Sequence, residues 1–314
     1  VYSNTADGGD GGGIFSGGIL TVTNSSFFDN AAFVDGGGIS NNGSNALLFV
    51  TDSSFTNNWA DDGGGGIDND GDYTLIRNSQ ITGNFAASGG GLDIDGITEI
   101  ENSDVLTNVA VYGGGIDSSA PFSVTSSLIQ GNIADYEGGG LIFGDTLYMT
   151  DTQVLSNTAV DDWGGGLTNY GAAVIVDSTF SGNEAPDGAA IDIEYGELHL
   201  ENSSIVSNTA YEYGGALYNN QGVATLRNTQ ILSNTAGEDG GGIENDGGEL
   251  VLVDSTVAYN AALGGVGFGY GGGIDSFDYS QLTLTNTTVM SNTALVGGGV
   301  YIGSAYGDGS GDIA

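Results

Sequence analysis

Apolar residues in this chain fall in short alternating runs, and the runs recur. "LTVTN" (20–24) and "LTLTN" (282–286) place apolar side chains at every second position, as a strand with one buried face does. A longer pattern surrounds them: "NSSFFDNAAFVDGGGI" (24–39) returns as "NSSIVSNTAYEYGGAL" (202–217). Its most regular mark is Asn followed two residues later by Ala, at Asn4, Asn30, Asn58, Asn84, Asn108, Asn132, Asn157, Asn183, Asn208, Asn234, Asn260 and Asn292. Three residues before each Asn stands an apolar residue, Phe27, Ile81 and Phe180 among them. After each come a Gly cluster and one aliphatic residue, such as Ile39, Leu92 or Ile243. Twelve copies at this fidelity, roughly 26 residues apart, outweigh any domain count drawn from length.

Each copy holds three short strand-like segments divided by Gly- or Asn-rich corners. The corners lack two-residue hairpin spacing, and no helical stretch supplies crossovers. The chain must therefore wind one way, each strand pairing in parallel with its counterpart one copy later. The pattern predicts an all-β right-handed parallel β-helix (β-solenoid) of about twelve coils of about 26 residues, with three strands per coil. At about 4.8 Å per coil the rod is roughly 55–60 Å long. It is read as one domain over 1–314, with 303–314 a terminal docking or linker segment. Inward aliphatics stack into a continuous core, and the Asn side chains turn in at one corner as a ladder of amides that bond each other and the backbone. The first Gly of each cluster is invariant, whereas later positions become Ala189, Ala190 and Ala216. The first is thus expected to need a positive φ, and the others to be small because of crowding.

Composition narrows the partners. Of 314 residues, 59 are Gly, none is Cys, and 39% are hydrophobic at fixed positions, which a disordered chain does not show. Forty acidic residues against two Arg give a formal net charge of −38. That excludes nucleic acid and disfavours anionic membrane surfaces, since both need Lys and Arg. No apolar run approaches membrane-spanning length, so no membrane insertion is expected within these residues. Cations, calcium above all, are the natural partners.

"GGAL" (214–217) paired with "FFDN" (27–30) resembles the repeats of chlamydial polymorphic outer-membrane proteins and, more broadly, the β-helix repeats of large bacterial surface proteins. The resemblance implies an extracellular or cell-surface β-helix acting as stalk, adhesin or surface structure. The chain has none of the Cys those proteins often carry, and no membrane-anchoring β-barrel is expected within these residues. The expected function is a structural β-helix that forms or extends a surface fibre, binding further copies of itself head to tail through its β-helix ends. A carbohydrate-binding adhesin rod is the alternative, and a polysaccharide lyase or hydrolase comes last.

Candidate chemistry is sparse. Right-handed β-helices also include pectate lyases and polygalacturonases, but the cationic groups here are Arg77, Arg227 and His199 alone. Each Arg falls one coil from a Glu, Arg77 beside Glu101 and Arg227 beside Glu201, which reads as surface ion pairs; no enzyme is expected. Carboxylates crowd the coils around the Gly clusters, at "DGGD" (7–10), "DNDGD" (68–72), "DID" (93–95), "DIE" (192–194) and "END" (244–246). Asp68, Asp70, Asp72, Asp93 and Asp95 form the calcium candidate, although "DNDGD" lacks the rest of a calcium loop and its terminal Glu. Aromatics between Asn and Gly cluster, from Phe33 and Trp59 to Tyr211 and Tyr213, make an edge stripe suited to sugars or to capping the core.

Overall fold

Alternation dictates the wall of the molecule. In the computed structural model, which describes residues 1–265 and 269–303, each copy forms one turn of a parallel β-solenoid. One sheet of twelve strands runs from Ile14–Ser16 to Val300–Ile302, and two sheets of eleven run from Ile19–Thr23 to Gln281–Thr285 and from Ser26–Phe28 to Thr288–Met290. All paired strands are parallel, giving about eleven turns with no helix among the described residues. Three strands per coil were expected. A fourth ladder of two-residue strands follows the Asn corner, as at Ala31–Ala32 and Val109–Ala110. Its inward Ala side chains, Ala32, Ala110 and Ala185 among them, are fully buried. The segment 304–314 lies outside the described residues, so the terminal segment is represented only by Gly303.

Equivalent side chains stack coil upon coil. Ile39 pairs with Ile67, Ile67 with Leu92 and Leu92 with Ile116; Phe27 lies over Phe55 with ring centroids 4.7 Å apart. This column packing joins the inward faces of the three sheets into one core cluster from Val22 to Ile274. Corners are made by left-handed backbone. Between the second and third sheets stand Asn24, Asp52, Asn78 and Asn102 at φ 46–50°, residues whose short polar side chains tolerate that region. At the third corner the first Gly of all twelve clusters has φ between +54° and +68°. A Cβ on Gly89 would lie 2.1 Å from the Leu92 carbonyl oxygen, so only Gly fits. Later cluster positions press on the next coil instead: a Cβ on Gly37 would meet Trp59 O and Gly65 O at 2.5 Å.

The Asn ladder runs the length of the rod. Asn30, Asn58, Asn84, Asn108, Asn132, Asn157, Asn183, Asn208, Asn234 and Asn260 are each 1% exposed or less. Each donates through Nδ2 and its backbone N–H to Oδ1 of the next Asn, as in Asn132 to Asn157 at 3.0 and 2.9 Å. Nδ2 also reaches back to a strand carbonyl, Val105 O in that case, at 2.9 Å. Asn4 starts the series by donating to Asn30, and Asn292 accepts from Asn260 across the widened coil, 32 residues on. A buried corner thus leaves neither amide nor backbone group unpaired. A second ladder of hydroxyls, absent from the sequence reading, lines the other corner: the N–H of Ser53 donates to Ser79 Oγ, that of Ser79 to Ser103 Oγ, and that of Ser103 to Ser127 Oγ, each at 3.1 Å.

Candidate functional site

The second residue of each first-sheet strand points away from the core, yet most of these residues are covered. The corner that carries the Gly cluster folds over them, and a groove results. Its floor reads Asp68, Asp93, Asp117 on three adjacent coils, then Ile142 and Thr168, then Asp192, Tyr218, Glu244, Asp275 and Tyr301. Asp68, Asp192, Glu244 and Asp275 are each at most 4% exposed. Ile142 divides the groove into two acidic stretches.

The first stretch contains four of the five calcium candidates. Asp68 is buried and accepts from Ser40 Oγ at 2.9 Å. Burial, then the charge of Asp70, pushes its carboxyl up to about 9. Burial and the neighbouring Asp117 push Asp93 up to about 8, and burial pushes Asp117 up to about 6. Asp70 stands exposed beside Asp95, and burial together with that charge raises it. Ser119 Oγ donates to Asp95 Oδ1. Asp72 is exposed and stands next to the second-sheet strand Tyr73–Arg77, apart from the groove floor. Two further groups enter: Asp117 on the floor and Asp35 at the corner, where it accepts from Gly63 N–H at 2.8 Å. Among the described residues no three His, Asp or Glu side chains stand in an arrangement ready to hold a metal ion.

The second stretch mixes acid with tyrosine. Asp192 is fully buried with neither carboxylate oxygen hydrogen-bonded among the described residues, and burial holds it well above the usual carboxylate range. Glu194 accepts from Asn220 Nδ2 through both oxygens at 2.9 Å. Beyond it opens a cleft of about 590 Å³ lined by Tyr213, Tyr218, Tyr270 and Tyr301 with Asp239, Glu244, Asp246 and Asp275. Tyr270 stacks on Tyr301 at 4.4 Å and Tyr213 on Tyr218 at 6.3 Å. Tyr213 and Tyr218 donate to Glu238 and Asp246 at 3.0 and 3.4 Å. Glu244 Oε2 and Asp275 Oδ1 are buried without a hydrogen-bond partner among the described residues. Burial and then Asp275 raise Glu244 strongly, while burial and Asp239 push Asp275 up to about 7.

The remaining candidates stay apart from this groove. Arg77 Nε bonds Glu101 Oε2 at 2.7 Å on the exposed face of the second sheet. Arg227 pairs in register with Glu201, and among the described residues Arg77–Glu101 is the one salt bridge formed. His199 stands outward and exposed between Val174 and Thr225. Parts of the aromatic stripe pair off, Phe33 edge-on to Trp59 at 5.8 Å and Tyr112 stacked on Tyr136 at 5.5 Å; Tyr213 and Tyr270, each just before a Gly cluster, reach the cleft. Tyr218, Tyr301 and Asp117 escaped the sequence reading, although each stands one place after the marker aliphatic, at Leu217, Val300 and Ile116.

Residues 52–70 match the family model described as the Chlamydia polymorphic membrane protein (Chlamydia_PMP) repeat. The match covers most of one repeat, from the Asp52 corner to the start of the acidic groove, and is consistent with surface or outer-membrane association. No curated protein and no solved structure matches the chain.

Proposed function

We propose that this chain is the shaft of a cell-surface rod, a structural β-solenoid without catalytic duty. The observation that carries the reading is the unbroken stack: core, amide ladder and three sheets continue from coil to coil. Such a continuous stack resists bending. Its repeat is similar to that of a membrane-protein family, which supports a place at the surface. The rod extends either by more coils of one chain or by copies stacking head to tail. Proteolysis of intact producing cells tests the location: the shaft should be cleaved or shed without lysis, and complete protection overturns the reading. Electron microscopy of the pure protein separates the modes of extension, single rods of about 50–55 Å for an isolated shaft and longer fibres for stacking.

A second reading, an adhesin rod that binds carbohydrate, is favoured by the cleft, whose tyrosine faces and carboxyl groups suit sugar rings and their polar substituents. Cation stabilisation belongs with either reading. Asp68, Asp70, Asp93 and Asp95 repel one another across adjacent coils, and calcium bridging these carboxylates would relieve that repulsion.

A further inference from the structure

We infer that the tyrosine-lined cleft is a binding site for a protonated amino sugar, the pyranose ring lying on tyrosine and its ammonium group meeting Glu244 and Asp275. The inference rests on the saccharide-binding reading and gives it a site and a ligand class.

Three independent observations converge. First, Glu244 and Asp275, each 3% exposed, carry Oε2 and Oδ1 with no hydrogen-bond partner among the described residues. A buried carboxyl oxygen left unpaired is costly, and a ligand N–H supplies what the fold withholds. Second, the lining is aromatic as well as acidic. Tyr270 on Tyr301 and Tyr213 on Tyr218 give two stacked pairs whose ring faces attract the polarised C–H groups of a sugar and the positive charge of an ammonium alike. Third, the size fits: about 590 Å³ lies within the usual range of small-ligand clefts.

Charge selects among sugars. Asp239, Glu244, Asp246 and Asp275 all face the cleft, and its lining contains no basic residue. An acidic sugar would be repelled. Burial raises Glu244 and Asp275, so the free cleft holds protons on them; an ammonium can displace a proton and form charge-assisted bonds, which a neutral sugar cannot do. A bare metal ion is a poorer match, because the tyrosine faces offer a hard cation little. The first acidic stretch, at Asp68, Asp93 and Asp117, has the charge without the tyrosines and serves as an internal control.

The test is titration calorimetry of the whole chain at 0.15 M salt, where long-range attraction to a polyanion is largely screened. The probes are a β-1,4-linked glucosamine trisaccharide and its fully N-acetylated form, which has the same rings and no positive charge. The glucosamine form should bind at one site and the acetylated form about tenfold or more weaker. Glu244→Gln and Tyr301→Ala should each weaken binding by about tenfold or more, with melting temperature followed to show that both variants are folded. Asp68→Asn with Asp93→Asn should leave it unchanged. Equal binding of the two trisaccharides would overturn the amino-sugar inference and leave a saccharide site standing. Binding of neither would overturn both. Loss in the Asp68/Asp93 variant equal to that in Glu244→Gln would reduce the effect to attraction by net charge.

Discussion

The two stretches of the groove occupy the same column of the same sheet and solve one problem differently. In the first, Asp68, Asp93 and Asp117 follow one another on adjacent coils, so each carboxyl has a like neighbour at parallel-strand spacing. In the second, Tyr218 separates Asp192 from Glu244, and Tyr301 follows Asp275. Without interleaved rings the first stretch can relieve repulsion only by binding protons or cations. With them the second flanks its one adjacent pair, Glu244 and Asp275, with tyrosine and opens a cleft. A solenoid fixes where a residue stands, and one substitution per coil then decides whether a column is a strip of charge or a recess.

The largest effect should come from what both stretches share. Asn132→Ala, near the boundary, removes the acceptor of Asn108 N–H and Nδ2 and the donor to Val105 O, at a cost of about 2–4 kcal/mol by chemical denaturation. Asn84→Ala and Asn208→Ala, one beneath each stretch, should cost the same within error. A clear difference would mean that the groove above alters the ladder below.

Next comes pH. Asp68, Asp93 and Asp117 have folded-state values raised above the ordinary carboxylate value of 3.8, so the folded chain binds more protons than the unfolded one between that value and about 9. Their stabilising contribution is complete below about pH 4 and is lost as pH rises through about 6, 8 and 9 in turn. Melting temperature at low salt should therefore fall from pH 5 to pH 9. Asp93→Asn should flatten that fall and stabilise the rod by about 1–2 kcal/mol at pH 8. A melting temperature that rises across this range would contradict the buried-carboxyl account.

Calcium should act more gently. If it bridges carboxylates of the first stretch, a concentration ten times its Kd adds about 1–1.5 kcal/mol, more than sodium at equal ionic strength. Asp68→Asn with Asp93→Asn should abolish the excess. Equality of the two salts would leave screening alone. Smallest of all is Arg77→Gln: its exposed pair with Glu101 lies outside the groove, and melting should not change beyond error.

The fold was legible because its signal is inward and periodic. Ile39, Ile67 and Leu92 must be apolar, the corner Asn must be amide, and the first Gly must reach positive φ, so each leaves a mark in every coil. The groove was less legible because it is an outward feature assembled across coils. "DNDGD" looks like a local loop, yet Asp72 leaves it, while Asp35 and Asp117 join from other copies. Nor does alternation foretell that Asp192, on the outward phase of its strand, ends fully buried; the overlying corner does that. The hydroxyl ladder had a signal, a Ser or Thr one place after each Asn or Asp of the second corner, as in "NSSF" and "DSSF".

The amide ladder also determines how the rod would respond to force. Its hydrogen bonds lie along the rod, each Asn donating to the coil beyond it. Tension applied between the two chain ends therefore does not load all rungs together. It falls on the outermost coil, whose bonds open before the next is strained, and the chain peels turn by turn. A sideways push meets the whole stack at once. Such a shaft is expected to be stiff against drag and to lengthen coil by coil under a pull, which single-molecule force measurement would read as a series of steps.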